Sequence, residues 1–307
     1  MSRRLDAVDV ARGLALVAMA GYHFTWDLAY FGVVEPSTPF TPPMRLASHL
    51  IGGAFLALAG LSLALAHGRG FRVRNFLKRL ALIGGAAALV TGVTYWQTPE
   101  TAIWFGILHC LFAASLIAAP LLAAPAWVSV ALGAALIALP WAVTSPAFNS
   151  AWLVWLGLGT QDPATLDWRP LMPWAGVTLI GLGLARLAPP IPAWSAKTAP
   201  SSALAFAGRH SLAIYLIHQP VLVGGLWAVL QLSGYSERLS VEAYARACRP
   251  ACVEAGGEID ACERACACVV RDASSAGLAG RLGARAISKD ERSRIGAIVE
   301  TCGSEAR

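Results

Sequence analysis

Long hydrophobic runs separated by short polar connections fill most of the chain before residue 237. A helix needs about 20 mainly apolar residues to cross the hydrocarbon core of a bilayer. Seven runs approach that length, and they predict seven transmembrane helices at Ala11–Val33, Met44–His67, Phe76–Trp96, Ile103–Ala123, Trp127–Thr144, Leu171–Leu187 and Leu204–Leu232. The pattern therefore predicts an all-α fold, a polytopic membrane helix bundle of about seven transmembrane helices.

The pattern changes after the seventh run, where the chain becomes polar and rich in cysteine. Residues 237–307 carry 11 basic and 11 acidic residues, and six of the seven cysteines lie there. We therefore predict two domains, a membrane domain of residues 1–236 and a small, cysteine-rich helical tail of residues 237–307 outside the membrane.

The composition excludes several classes of protein. Hydrophobic residues make up 56% of the chain and charged residues 14%, against roughly 25% charged residues in an ordinary soluble domain. This excludes a soluble enzyme, a disordered chain and a nucleic-acid-binding protein. The net charge of +6 arises within residues 1–236, where the orientation of the helices in the membrane accounts for it.

Basic residues concentrate in alternate connections, and such residues favour the cytoplasmic side. They occur at the N-terminus (Arg3 and Arg4), in the second connection (residues 69–79) and in the sixth (residues 186–209). The first run shows no cleavage site for a signal peptidase, so we expect a retained helix. We predict a membrane protein with a cytoplasmic N-terminus, and seven crossings then place the tail on the outer side.

The first run carries ionisable residues that are costly inside a bilayer and tend to mark function. Arg12 and His23 are eleven residues apart, which places their side chains within about 20° of one face and roughly 16 Å apart along a helix. Asp27 follows His23 by four residues, and Asp9 precedes Arg12 by three. These spacings predict one stripe that faces the bundle interior or a wet cavity.

The stripe is suited to acid–base chemistry. An imidazole oriented by a carboxylate is a good general base, and it can also accept an acyl group transiently. An arginine near the cytoplasmic mouth can clamp a phosphate. A purely structural interpretation stays open, in which Asp9 and Arg12 form a juxtamembrane ion pair and His23 and Asp27 make a polar contact between helices.

Two further histidines lie in predicted spans. His109 lies in the fourth run, where a structural hydrogen bond between helices is the commoner role. His218 precedes Gln219 and Pro220, and we expect a structural role there because a proline frees a backbone carbonyl. No histidine or cysteine cluster in the membrane part has the spacing of metal ligands, so no metal is expected.

The cysteines of the tail occur as two CX3C pairs, followed by Cys268 and Cys302. On helices each pair lies on one face, so two helices joined near residues 255–257 could be linked as a hairpin, by Cys248–Cys266 and Cys252–Cys262. That pattern resembles twin-CX3C helical hairpins. Six cysteines allow fifteen connectivities, and a zinc site is the alternative to disulfides.

Several blocks of the chain resemble one family. Residues 5–15 (LDAVDVARGLA), 22–28 (YHFTWDL), 105–109 (FGILH) and 169–176 (RPLMPWAG) are similar to those of the bacterial heparan-alpha-glucosaminide N-acetyltransferase-like membrane proteins. The spacing of Arg12 and His23 and the block at 208–218 (GRHSLAIYLIH) also resemble the type-three membrane O-acyltransferases.

The resemblance implies a membrane acyltransferase that uses acetyl-CoA or another acyl-CoA as co-substrate. The acyl group, usually acetyl, would pass to a hydroxyl or amine of a sugar or other envelope acceptor. His23 would be the catalytic base or acyl carrier and Arg12, with its partner Asp9, would lie on the coenzyme A side. Asp27 as the orienting group is an inference from spacing. His109, which belongs to a family block of unassigned role, is the third catalytic candidate beside His23 and Asp27.

Two other hypotheses remain at this stage. A transporter or flippase would use the same stripe for protons or substrate, and a non-catalytic scaffold would recruit a partner through its tail. The expected partners of the enzyme are membrane lipid, acyl-CoA and a carbohydrate or lipid-linked acceptor, but no nucleic acid. The sequence leaves the acceptor, the acyl length and the oligomeric state open.

Overall fold

The computed structural model describes residues 5–68, 70–189, 194–282 and 287–305. Within these ranges the chain forms α-helices, turns and loops and contains no strand, which confirms the all-α prediction. Arg3, Arg4 and Arg69, which contribute to the predicted orientation, lie outside the described residues. The helices are α1 (Asp6–Tyr30), α2 (Pro42–His67), α3 (Val73–Gln97), α4 (Ile107–Leu121), α5 (Ala126–Ala142), α6 (Leu171–Leu187), α7 (Ala199–Arg209), α8 (Ser211–Leu232), α9 (Tyr235–Glu254), α10 (Ile259–Ser275) and α11 (Lys289–Glu305).

Three of the described helices are long and apolar enough to cross a membrane, namely α2, α3 and α8. Helices α4, α5 and α6 are also apolar but have only 15 to 17 residues, a length of about 25 Å against a hydrocarbon core of about 30 Å. Helix α1 has 25 residues and is long enough to cross. Its ionisable residues lower its mean hydropathy, and it is not among the three candidate spans. The chain is a membrane protein, and the count of seven crossings stays a prediction.

The seventh predicted span is wrong as a single helix. Residues 204–232 divide at His210, where α7 ends and α8 begins after a turn. The amide of His210 donates to the carbonyls of Phe206 and Ala207, which closes α7. The polar residues Arg209, His210 and Ser211 mark this division in the sequence, and the single predicted span passed over them. The fourth predicted span also begins later, at Ile107, because residues 103–106 form a loop and Gly106 is the N-cap of α4.

The helices form two compact units. The first unit comprises Met1–His23 and Phe40–Gln219, and the second comprises Phe24–Pro39 and Pro220–Arg307. In the first unit α6 is the central helix and packs against α2, α4 and α5. The division of the sequence at residue 236 stays a prediction about domain organisation.

Glycines allow the helices of the first unit to approach closely. A methyl group on Gly60 of α2 would overlap the carbonyl oxygen of Thr178 on α6, and one on Gly176 of α6 would overlap that of Gly133 on α5. Helices in a bilayer associate largely through such close packing at small residues, since lipid tails are as apolar as the side chains. The glycines of α2, α5 and α6 therefore set the spacing of this core.

Three disulfide bonds hold the tail in the second unit. Cys248–Cys266 and Cys252–Cys262 join α9 to α10, which is the pairing that the CX3C spacing favoured. A third bond, Cys268–Cys302, joins α10 to α11 and was not assigned from the sequence. Around it a small core forms from Val269, Ala273, Leu278 and Leu282. The tail is therefore a set of three covalently linked helices.

We expect Gly60→Ala to destabilise the membrane part. The added methyl group meets rigid backbone, and overpacking of this kind costs about 1–3 kcal/mol. Gly85→Ala on α3 is the matched control, because no atom lies near its Cβ position, and it should leave stability unchanged or slightly raised. Thermal unfolding of the purified protein in detergent measures both. Equal melting temperatures for the two variants would contradict the packing described here.

Candidate active site

Arg12 of α1 is held by two hydrogen-bond partners inside the first unit. One guanidinium nitrogen donates to Oδ1 of Asp9 at 2.7 Å, and another donates to the hydroxyl of Ser62 on α2. Ser62 donates in turn to the carbonyl of Leu58. Asp9 is only 4% exposed, so this ion pair is largely removed from solvent. The arrangement fixes one guanidinium at a defined place on α1.

Close packing of α1 on α7 brings Asp9 and Arg12 into this position. A methyl group on Gly208 would overlap the backbone carbonyl of Asp9, and one on Gly13 would overlap that of Leu204. Both glycines therefore lie at points where the two backbones nearly touch. The family-like blocks at residues 5–15 and 208–218 meet where Gly208 approaches Asp9.

A cavity of about 320 Å³ lies beside Arg12 in the first unit. A second arginine, Arg79 of α3, lines the same cavity, together with Ser211 and Tyr215 of α8. The rest of the lining is mostly apolar and comes from α2, α3, α4 and α8, namely Phe55, Leu58, Ala59, Leu82, Ile83, Ile107, Leu108, Leu111 and Leu212. The cavity thus combines two guanidinium groups with a largely uncharged wall.

The two arginines are not equally neutralised. Asp9 forms an ion pair with Arg12, whereas none of the ion pairs found in the described ranges involves Arg79. Two positive charges therefore face one cavity with a single carboxylate beside them. A net positive charge in a poorly solvated site favours binding of an anion.

His23 lies eleven residues after Arg12 on α1, where side chains of α8 meet it. Its Nδ1 atom is 2.9 Å from Oε1 of Gln219 and 3.3 Å from Nε2 of His218. The two imidazole rings pack edge to face, with centroids 4.8 Å apart. His218 also places its Nδ1 atom 2.5 Å from the carbonyl oxygen of Tyr215. His23 and His218 are both partly buried.

Because Tyr215 lines the cavity and its carbonyl holds His218, the cavity and the imidazole pair share one turn of α8. Neither His23 nor His218 lines the cavity itself, and Tyr215 is the residue that links the two. Arg12 and His23 are separated by a rise of about 16 Å along α1.

Asp27 lies one turn after His23 on α1 and is 3% exposed. It belongs to the second unit, whereas His23 belongs to the first. Within the first unit, the side-chain amide of Gln219 contacts Nδ1 of His23 and can orient its ring. The orienting role of Asp27 therefore stays a prediction.

His109 stabilises the start of α4, and its hydrogen-bond partners do not include His23. Its Nδ1 accepts from the amide of Gly106, and its Nε2 lies 3.1 Å from the hydroxyl of Thr91 on α3. That hydroxyl donates to the carbonyl of Ile103. Asp167 accepts from the amide of Ile107 at 2.7 Å and completes the cap. These bonds satisfy amides that a helix start would otherwise leave unpaired.

Four residues of the site were missed as functional candidates in the sequence: Arg79, Ser62, Gln219 and His218. Arg79 was noted only as a basic residue that orients the bundle, although its place seven residues into an apolar helix was a usable signal. His218 was assigned a structural role beside a carbonyl freed by Pro220; it contacts the carbonyl of Tyr215 instead, and its contact with His23 was not foreseen. Ser62 and Gln219 carried no distinguishing signal.

One group of possible metal ligands occurs among the described residues, formed by Cys268, Asp272 and Cys302. The two sulfurs are joined in a disulfide, so neither is a thiolate that could bind a metal.

These features define a polytopic α-helical membrane protein with a cavity lined by two arginines and, one turn further along α8, a pair of imidazoles. Comparison with known families agrees with this class. The family model for the heparan-alpha-glucosaminide N-acetyltransferase catalytic region matches residues 4–220, and the chain belongs to this family. No curated protein and no solved structure matches the chain. The protein is thus a membrane enzyme of the acetyltransferase type, and the matched region includes the whole cavity and the imidazole pair.

The cap on α4 leads us to expect that His109→Ala lowers stability. Loss of a helix cap costs about 0.5–2 kcal/mol, so thermal unfolding in detergent should begin several degrees lower. Thr91→Val should act in the same direction, because it removes the partner of Nε2. Thr144→Val is the matched control, since the exposed Thr144 bonds only to its own helix. An unchanged melting temperature in His109→Ala, combined with lost activity, would instead indicate a catalytic role for His109.

Proposed function

We propose that the protein transfers an acyl group, most simply acetyl, from acyl-CoA to a hydroxyl or amine of a sugar or another envelope acceptor. The observation that carries this proposal is the cavity that joins two arginines to the turn of α8 bearing His218, which contacts His23. Membership of the acetyltransferase family supports the reaction class. The chemistry of each end supports the choice of donor.

The arginine end suits the phosphates of coenzyme A. Guanidinium groups bind phosphate oxygens through paired hydrogen bonds, and the charge of Arg79 has no carboxylate partner in the ion pairs described above. The apolar wall suits the long, largely uncharged arm that separates the phosphates of coenzyme A from its thioester. The rise of about 16 Å between Arg12 and His23 along α1 would let the phosphates bind beside the arginines while the thioester reaches His23.

The histidine end supplies the base. The amide oxygen of Gln219 accepts a hydrogen bond from Nδ1 of His23, which leaves the lone pair of His23 on Nε2. In the reaction Nε2 removes the proton of the acceptor hydroxyl or amine while the acceptor atom attacks the thioester carbonyl. The C–S bond then breaks, and the departing thiolate takes the proton from Nε2. In the other form of this proposal, Nε2 first carries the acyl group and then gives it to the acceptor.

The remaining predicted residues take supporting roles. Asp9 neutralises Arg12 and keeps its guanidinium in place. His109 is a positioning residue, because its bonds hold the start of α4, whose residues Ile107 and Leu108 line the cavity. Asp27, buried one turn beyond His23, supports the orientation of this part of α1.

In the proposed orientation, the arginine end lies on the cytoplasmic side of a bacterial inner membrane. Acyl-CoA is made in the cytoplasm. The basic residues of α3 favour that side for its start. The tail then lies in the periplasm, and its three disulfides fit an oxidising compartment.

We expect Arg79→Gln to weaken binding of acetyl-CoA about tenfold or more, because it removes a phosphate-binding charge. Lys78→Gln is the matched control, since Lys78 precedes Arg79 on α3 but is exposed and does not line the cavity. Calorimetric titration of the purified protein with acetyl-CoA measures both. Equal dissociation constants for Arg79→Gln and Lys78→Gln would contradict the donor site.

We expect His23→Ala to lower acyl transfer about 10²- to 10⁴-fold, the usual contribution of a general base. Transfer is followed with radiolabelled acetyl-CoA and with glucosamine and N-acetylglucosamine as amine and hydroxyl probes. Mass spectrometry of lipids and glycans from a deletion strain identifies the natural acceptor by its missing acetyl group. Wild-type protein that binds no acetyl-CoA and moves ions or lipids instead would favour a transporter or flippase.

The orientation predicts that the thiols of the tail are accessible from outside the cell. After treatment of spheroplasts with an impermeant reductant, an impermeant maleimide should label the tail, while the buried Cys110 should stay unlabelled. Inside-out vesicles treated in the same way should show little labelling. The reverse result would place the tail in the cytoplasm.

A further inference from the structure

His23 is contacted at a single ring nitrogen by two side chains of α8, those of His218 and Gln219. Nε2 of His218 lies 3.3 Å from Nδ1 of His23, and Oε1 of Gln219 lies 2.9 Å from the same atom. The residues come from α1 and α8, which are nearly 200 residues apart in sequence. Two neighbouring positions of α8 thus converge on one ring nitrogen.

The protonation pattern of the pair follows from its acceptors. A backbone carbonyl only accepts, so the proton of His218 lies on Nδ1, which donates to Tyr215, and its lone pair lies on Nε2. The amide oxygen of Gln219 likewise places the proton of His23 on Nδ1. That proton is therefore shared between Oε1 of Gln219 and the lone pair of His218.

We propose that His218 is a proton-accepting positioning residue for His23, an inference that rests on the proposed function. When Nε2 of His23 takes the proton of the acceptor, the proton on its Nδ1 moves toward Nε2 of His218, and the two rings share one positive charge. When the thiolate of coenzyme A leaves, it takes the proton from Nε2 of His23, and the shared proton returns to Nδ1. The pair ends the cycle with the two protons with which it began.

The low polarity of the site favours an imidazole in this role. A carboxylate at position 218 would be charged before the reaction begins, and an isolated charge inside a membrane is costly. A second imidazole is neutral at rest and carries charge only while His23 is protonated. The partly buried position of both rings agrees with such a site.

The test compares His218→Gln and His218→Ala with the wild type. Glutamine at position 218 can still accept a hydrogen bond from His23 but cannot take a proton, so it separates proton acceptance from orientation. The protein is purified in lipid nanodiscs, and turnover is measured with radiolabelled acetyl-CoA and the acceptor probes named above. Binding of acetyl-CoA and the melting temperature are measured on each variant, and the exposed His210 gives the matched control, His210→Gln.

We expect His218→Gln to lower kcat about ten- to a hundredfold, a fraction of the usual contribution of general acid–base catalysis, while the dissociation constant of acetyl-CoA changes less than twofold. The dependence of kcat on the deuterium content of the solvent should be curved in the wild type, because two protons move, and linear in the variant. Added imidazole should restore part of the activity of His218→Ala and none of that of His218→Gln.

Two results would overturn the inference. One is a wild-type kcat in His218→Gln, and the other is an inactive His218→Ala that binds acetyl-CoA normally but does not respond to imidazole. Either result leaves the proposed function standing, provided that the wild type transfers acetyl groups and His23→Ala does not. A wild type that leaves acetyl-CoA intact in the presence of acceptors would overturn the proposed function itself.

Discussion

A guanidinium on an apolar helix needs a counter-charge and hydrogen-bond acceptors from the protein, and Arg12 imposes this constraint on the first unit. Asp9 supplies the charge from the same helix, and Ser62 supplies an acceptor from α2. Glycines at the crossing of α1 and α7 let the backbones approach closely enough for this arrangement. Because α1 also carries His23, the place of Arg12 determines how far the imidazole lies from the arginine end of the cavity.

The parts of the site that could be predicted are those that depend on local geometry. Helical periodicity places Asp9, Arg12 and His23 on one stripe, and the i,i+3 spacing of Asp9 and Arg12 brings their side chains together, as the ion pair shows. The long-range partners could not be predicted in this way. Gln219 is 196 positions from His23 and Ser62 is 50 from Arg12, and no periodicity relates residues on different helices.

The boundaries of the helices show the same distinction. Leu171–Leu187 was predicted at both ends, because proline and a polar loop flank it. The division at His210 was missed because the apolar residues on both sides of Arg209 and His210 were taken as one span. In the tail, CX3C spacing made the hairpin pairing of two disulfides possible, because it places both cysteines of a pair on one helical face, but it left other connectivities and a zinc site open. Cys268 and Cys302 are separated by 34 positions, and that spacing contains no geometric information.

The third disulfide changes what a break in the tail would do. It ties α11, the last helix, to α10, while the other two bonds tie α10 to α9. A single protease cut between α10 and α11 would therefore release nothing, because the two fragments stay joined through sulfur. The tail can be cut there and still remain attached to the membrane part, and a shortened product becomes visible only on a reducing gel.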